Sequence, residues 1–264
     1  MKFKDAHLHI GNYEDVCNIL QNTPYLNKYK LYTAINPENV KKQEVYLSKV
    51  NDFFAIPIIF KEISIKRENR YVRDFCNRFN KGVPVTLIDK NDYFSENFDY
   101  ALMKEHFLLH NADDYKSRNL YYEYLNQNNG FLILHCKDKI RENYIRTLRN
   151  NFPNMNIIVA HLGRNTVENY YDIYRILSEF KLDSKIYFDI STIHSIDNII
   201  LAIKMVGQDR VLYGSDFPYE YNEIEEIKRR EKIELSLMNN FEILNKIGDT
   251  NFEKVKTLSR IKKC

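Results

Sequence analysis

The 264 residues contain no tryptophan, and glycine (7), proline (6) and cysteine (4) are all scarce. Each shortage excludes something. The missing tryptophan accompanies an excess of Asn, Lys, Tyr and Ile, a coding bias rather than a functional signal. With so little glycine, no Gly-rich phosphate loop follows any candidate strand, and no Gly/Ser/Pro linker divides the chain. Cys17, Cys76, Cys136 and Cys264 are scattered and form no C-x-x-C pair, so neither a zinc ribbon nor a disulfide framework is indicated. A reducing cytoplasm is the expected compartment. No apolar run approaches the roughly 18 residues of a membrane-spanning helix, and "MKFKDAHLHI" runs into Asp5 and two histidines too soon for a secretion signal. Charge of one sign is lacking too: 39 basic against 36 acidic side chains leave +3, which gives no reason to expect a nucleic-acid partner. What remains is an ordinary soluble globular composition, 44% hydrophobic and 28% charged. The expected partner is a small-molecule substrate, with neither nucleic acid nor membrane, and a homo-oligomer is left open.

What is present is an alternation of short apolar runs with helical patterns. The candidate strands are 3–10, 30–36, 53–60, 131–136, 156–161, 185–191 and 210–215, with helices at 117–129 and 166–180. Ser195 is placed to cap the helix that follows it, and Gly207 and Gly130 to end helices. Continuous apolar strands alternating with helices predict a parallel sheet covered by helices. An eight-stranded barrel takes about 250 residues. The fold expected is therefore α/β, a slightly distorted (β/α)8 TIM barrel forming one domain over 1–264. The middle is ambiguous: 83–88 and 106–110 compete for the fourth strand. The fourth strand is assigned to 106–110 and an insertion to residues 83–95. A doubly wound open sheet is the alternative.

Onto these strands the polar residues fall in a pattern. His7 and His9 in "KDAHLHIG" share one face of an extended strand while Leu8 turns away. His135 ends "FLILH", His161 ends "IIVAH", and Asp216 follows "VLYGS", each at the C-terminal end of an apolar strand. Burying such groups is costly unless they are partnered, and in barrel enzymes that end carries the active site. His135 and His161 stand 26 positions apart, about one strand–helix repeat, and Asp216 follows His161 by 55, about two. Barrel closure then brings Asp216 beside His7 and His9. Each residue alone has a structural reading, as a hydrogen-bonded strand end or a turn. Together, imidazoles and a carboxylate converging from distant segments suit Zn²⁺, Mn²⁺ or Fe²⁺.

These residues resemble a known family. "DAHLHIG", "ILHC", "VAHLG" and "VLYGSDFPY" are similar to the strand-one, -five, -six and -eight signatures of the amidohydrolase superfamily, closest to the amidohydrolase-related (amidohydrolase 2) branch that includes aminocarboxymuconate-semialdehyde decarboxylase. The resemblance spans nearly the whole chain, strongest at "GSDFP" and weakest between 61 and 110. It implies His7, His9, His135 and Asp216 as ligands of one divalent metal ion, with Zn²⁺ the first choice. It also implies His161 near the metal-bound water or the polarised group of the substrate. Binuclear members bridge two metals with a carboxylated lysine or a glutamate on strand four. The corresponding stretch "EHFLLHNADD" offers His110 instead, a departure that favours one metal unless Glu105 or a residue in the insertion supplies the bridge. The C-terminal "FEKVKTLSRIKKC" matches the family pattern poorly.

The chemistry expected is attack by a metal-activated water on an amide, ester or lactone of a small polar molecule. Asp216 would be the proton acceptor and His161 a hydrogen-bond donor to the developing oxyanion. Arg164 is placed to hold a carboxylate or phosphate; His110 and Asp189, with Ser191, are weaker pocket candidates. Cys136 is expected to point outward, and His106 and His194 to be structural. The tyrosines in "NLYYEYL" and "ENYYDIYRIL" read as packing between helices and barrel. Decarboxylation on the same scaffold is the alternative, and a non-catalytic metal- or ligand-binding protein the third reading. The deoxyribonuclease branch is disfavoured, because no glutamate follows strand four in its usual context and strong basic excess is lacking.

Overall fold

The computed structural model describes residues 3–22, 37–60, 63–89, 98–107, 109, 116–135, 141–164, 168–219, 223–237 and 240–261. Nine strands appear among them: β1 (Asp5–Ile10), β2 (Phe53–Pro57), β3 (Val83–Pro84), β4 (Thr86–Leu87), β5 (Leu102–His106), β6 (Phe131–His135), β7 (Asn156–Val159), β8 (Ile186–Asp189) and β9 (Val211–Leu212). All neighbours pair in parallel, in the orders β1-β2-β3 and β4 through β9. The two sheets are one barrel. Val85, between β3 and β4, donates to Ala55 O at 2.9 Å, so β3 and β4 are a single interrupted stave. The ring closes where Ala6 N donates to Tyr213 O at 2.9 Å and Asp216 N to His7 O at 2.8 Å.

The apolar runs are continuous because both faces of each strand are covered. Ala6, Phe54, Ile56, Leu102, Phe131, Ile133, Ile158 and Leu212 fill the interior. Met103, Leu132, Leu134, Ile157, Phe188 and Val211 pack outward with the helices, including Asn119–Gln127, Arg141–Asn151, Tyr170–Phe180 and Ile196–Val206. The tail that the family pattern matched poorly forms a helix, Asn251–Ser259, whose Phe252 and Val255 join the interior cluster. Phe252 stacks on Phe54 with ring centroids 4.1 Å apart.

One irregularity aims the site. The register of β1 on β2 slips between Asp5 and Leu8. Ala6 joins the interior cluster while Leu8 and Ile10 join an outer one. A bulge of this kind re-aims side chains, here placing His7 and His9 with Ala6 on the inner side.

Three expectations change. Residues 83–88 are the third stave rather than an insertion. The fourth stave is Leu102–His106, not 106–110. It hides from an apolar-run search because Lys104 and Glu105 interrupt it, although every one of its residues is buried. The helix before β6 ends on Asn129, which takes the left-handed conformation (φ 50°) assigned to Gly130. Gly130 is needed for close approach instead, since a Cβ there would lie 2.6 Å from Ala101 O. The strand expected at 30–36 falls outside the described residues. Ser195 does cap its helix, accepting from Asn198 N, and Gly207 ends it at φ 85°.

Candidate active site

Among the described residues, His9, His135, His161, Asp189 and Asp216 sit at or just beyond the C-terminal ends of the staves, and the local backbone bends to put several of them there. After β7 the chain turns through His161 (φ 55°) and Leu162 (φ 50°); after β9 it turns at Asp216 (φ 63°); Thr192 (φ 55°) follows β8. Left-handed non-glycine residues are costly and cluster where geometry serves function. Gly214 leaves the room this requires: a Cβ on it would fall 2.7 Å from His7 Cβ. Asp5 clamps the Asp216 turn. Its carboxylate accepts His7 N (3.1 Å), Ser215 N (3.0 Å) and Ser215 Oγ (2.6 Å), and Ser215 Oγ in turn accepts Phe217 N at 3.0 Å. Arg229, fully buried, ties the ends of β8 and β9 by donating to Ile190 O and Gly214 O.

The three imidazoles nearest Asp216 are pinned from behind. His7 Nδ1 lies 2.8 Å from Asp189 Oδ2, and His9 Nδ1 lies 2.8 Å from Pro57 O. His161 Nδ1 meets Ser191 O at 3.2 Å and Ser191 Oγ at 2.8 Å. A carboxylate and a carbonyl only accept, so each Nδ1 carries the hydrogen. In that tautomer the lone pair is on Nε2. His7 Nε2 and His9 Nε2 both stand 3.4 Å from Asp216 Oδ1. One nitrogen each of His7 and His161 and an oxygen of Asp216 lie within 4.8 Å of one another. Lone pairs from three directions facing one carboxylate repel unless a cation sits among them. His ligands held by an acceptor at the other nitrogen are also the usual arrangement in metal sites.

Electrostatics keeps this donor set in the right protonation state. Burial, then the Lys104 charge, lowers the His7 pKa to about 4. Burial lowers that of His161 and, further, those of His135 and His106. For Asp216 burial acts upward but His161, His9 and His7 outweigh it, holding the carboxyl well below its usual range. His7, His161, His135 and His106 are thus biased toward the neutral imidazole and Asp216 toward the carboxylate, the states in which such groups bind a divalent ion.

The expected residues are not all placed alike. His7, His9, His161 and Asp216 converge. His135 ends β6 with its ring centroid 4.6 Å from that of His161. Arg164 is half-buried beside His161 and its charge is felt there. Asp189 is fully buried and holds His7, so it is not a pocket wall open to substrate. His161, with Nδ1–H given to Ser191, offers an acceptor at Nε2 rather than the donor expected for an oxyanion. His110 and Cys136 fall outside the described residues.

Two residues of β5 were missed. Lys104 is fully buried with Nζ 3.0 Å from His7 Nε2. His106, taken as structural, packs its ring 4.4 Å from that of His135. Lys104 stands on the fourth stave, where the resemblance implies a bridging lysine in binuclear relatives. The register error that put strand four at 106–110 concealed it.

Comparison with known proteins agrees with this architecture. The amidohydrolase family model matches residues 104–235, half of the chain. No curated protein matches the sequence. Among solved structures, a zinc-bound amidohydrolase from Burkholderia multivorans superposes with a TM-score of 0.71 at 10% identity, covering 97% of this chain and 99% of its own. A manganese complex of 5-carboxyvanillate decarboxylase from Novosphingobium aromaticivorans gives 0.68 at 11%, covering 97% and 96%. The 2,6-dihydroxybenzoate decarboxylase from Rhizobium gives 0.64 at 14%, covering 98% and 99%. At these identities the likeness carries the fold, the TIM barrel. The neighbours hold divalent metals, manganese in several and zinc in one.

Proposed function

The chain belongs to the amidohydrolase family, and from that premise we propose that it is a metal-dependent decarboxylase of a small carboxylic acid. The observation that carries the reading is the trio of imidazoles pinned at Nδ1, whose Nε2 atoms are turned toward Asp216. His7, His9, His161 and Asp216 would hold one divalent ion, with His135 beside them. The bound ion supplies Lewis-acid polarisation of a substrate oxygen. Lys104, a buried cation within the barrel mouth, favours an anionic substrate, and Arg164 adds a second positive charge at the rim. In the reaction the bond from carbon to carboxylate breaks, its electron pair stays on that carbon, and a proton takes the place of the departing CO₂. Asp216, 14% exposed beside wholly buried His7, is placed to take up a proton and deliver it there. The decarboxylases among the fold relatives support this choice over hydrolysis.

Hydrolysis of an amide, ester or lactone is the second reading, favoured by the ionised state of Asp216, which suits it to accept a proton from water. The test is direct. Protein supplied with Mn²⁺ or Zn²⁺ is incubated with a panel of hydroxylated aromatic and aliphatic acids, and with esters and lactones. CO₂ release from an acid supports the lyase; acid formation from an ester or lactone without CO₂ supports the hydrolase. The remaining expectations, a cytoplasmic location and a small-molecule partner, belong with this proposal.

A further inference from the structure

The Asp189 side chain accepts four hydrogen bonds. Oδ2 accepts from His7 Nδ1 at 2.8 Å. Oδ1 accepts from His161 N at 3.0 Å, from Ser191 N at 3.1 Å and from the Ser191 hydroxyl. Because that hydroxyl gives its proton to Asp189, its oxygen is left to accept from His161 Nδ1 at 2.8 Å. One buried carboxylate therefore reaches two imidazoles, His7 directly and His161 through Ser191. The two ends of the carboxylate are not equivalent, three donors converging on Oδ1 and one on Oδ2.

We propose that Asp189 is a positioning residue that sets the His7 tautomer, and that Ser191 extends its hold to His161. This rests on the functional reading above, in which His7 Nε2 must offer a lone pair. The asymmetry makes the claim sharp. In Asp189→Asn the amide oxygen is kept at the Oδ1 position by its three donors, so the NH₂ group is forced toward His7 Nδ1. Two donors cannot face each other, so the His7 proton moves to Nε2, where Asp216 Oδ1 lies 3.4 Å away to accept it. The nitrogen that would hold the metal then becomes a donor, and the Lys104 ammonium, 3.0 Å from it in the parent, loses that acceptor and must turn away. Substitution of one atom far from solvent thus reverses the polarity of a ligand.

Nitrogen-15 NMR of the histidine rings in metal-free protein reads this directly, with His7 assigned by its loss in His7→Gln. The wild type is expected to show His7 protonated at Nδ1 and bare at Nε2, and Asp189→Asn the reverse. Mn²⁺ affinity should fall 10- to 100-fold in Asp189→Asn, the usual range for losing a group that orients a ligand. Ser191→Ala should leave the His7 tautomer unchanged, because Oδ2 keeps its single donor. A wild-type spectrum with the proton on His7 Nε2 overturns the proposal without any variant, as does an unswitched His7 in folded Asp189→Asn. The spectrum is taken without metal, so it judges Asp189 separately; wild-type protein that binds no Mn²⁺ would instead count against the functional reading.

Discussion

His9 Nε2 and Asp216 Oδ1 lie 3.4 Å apart, while the other ring nitrogen of His9, Nδ1, donates to Pro57 O at 2.8 Å. The same holds for His7, whose proton goes to Asp189. A divalent cation among these groups would draw the nitrogen lone pairs and the carboxylate together, which sets a ranking among the histidines. Alanine at His7, His9 or His161 should reduce bound metal per chain, measured by elemental analysis after dialysis. His135→Ala, which removes a ring standing 4.6 Å from that of His161, should reduce it least. Equal retention by His161→Ala and the parent would return His135 to the ligand set in its place.

Asp216→Asn separates coordination from proton transfer. The amide keeps a weakly coordinating oxygen, and the Asp5–Ser215 clamp still fixes the turn. The protein should fold and bind metal more weakly. Turnover at saturating metal should drop about 10² to 10⁴-fold, the usual loss on removing a proton-transfer group. Parental turnover in the metal-loaded variant would exclude Asp216 from moving the proton.

The sequence displayed one half of this site and concealed the other. His135, His161 and Asp216 are legible because each ends an apolar run at a spacing of whole strand–helix repeats. His7 and His9 are legible as same-face neighbours, although the bulge that turns them inward is not. Lys104 and Glu105 are illegible in principle: two adjacent charges interrupt a strand, and only partners in other segments, His7 97 positions away for Lys104 and Arg118, Tyr122 and Tyr144 for Glu105, make their burial tolerable. The role of Asp189 was hidden for the same reason, since its partner His7 lies 182 positions back. Local patterns report strand ends; they do not report who meets whom across the barrel.

Lys104 gives the sharpest separation between substrate binding and metal count. Lys104→Met keeps the volume and removes the buried charge. If the ammonium recognises the substrate carboxylate, KM for the acid should rise at least tenfold while metal content stays at the parental value. Loss of one bound ion from a two-ion parent would identify Lys104 as a bridge instead. Steady-state kinetics paired with elemental analysis distinguishes the two.

Glu105, on the opposite face of the same strand, should matter for stability alone. It accepts from Tyr122 OH (2.6 Å) and Tyr144 OH (2.7 Å) and pairs with fully buried Arg118 at 3.1 Å. Arg118 also donates to both tyrosines. Removing the carboxylate leaves a guanidinium buried without its counter-charge, which typically costs about 3–5 kcal/mol. Glu105→Leu should therefore lower the urea midpoint sharply, whereas Glu105→Asp should lower it less. An unchanged midpoint in Glu105→Leu would show that the network contributes little.

Glu68 carries the clearest pH dependence away from the site. It lies in the first turn of the helix Ile65–Phe79, is 5% exposed, and its Oε2 has no hydrogen-bond partner. Burial, reinforced by the Asp15 charge, raises its pKa from 4.5 to about 7. An acid raised in the folded state binds its proton more tightly there than in the unfolded chain. Stability from this group is therefore complete below about pH 4.5 and is lost as pH climbs to 7, where the carboxylate must ionise without a partner. A shift of this size corresponds to a loss of at most about 3 kcal/mol. Glu68→Gln keeps the shape and abolishes the ionisation. Its urea midpoint should match the parent near pH 4.5 and exceed it at pH 8. A parent and variant that differ equally at both pH values would show that Glu68 does not titrate in this range.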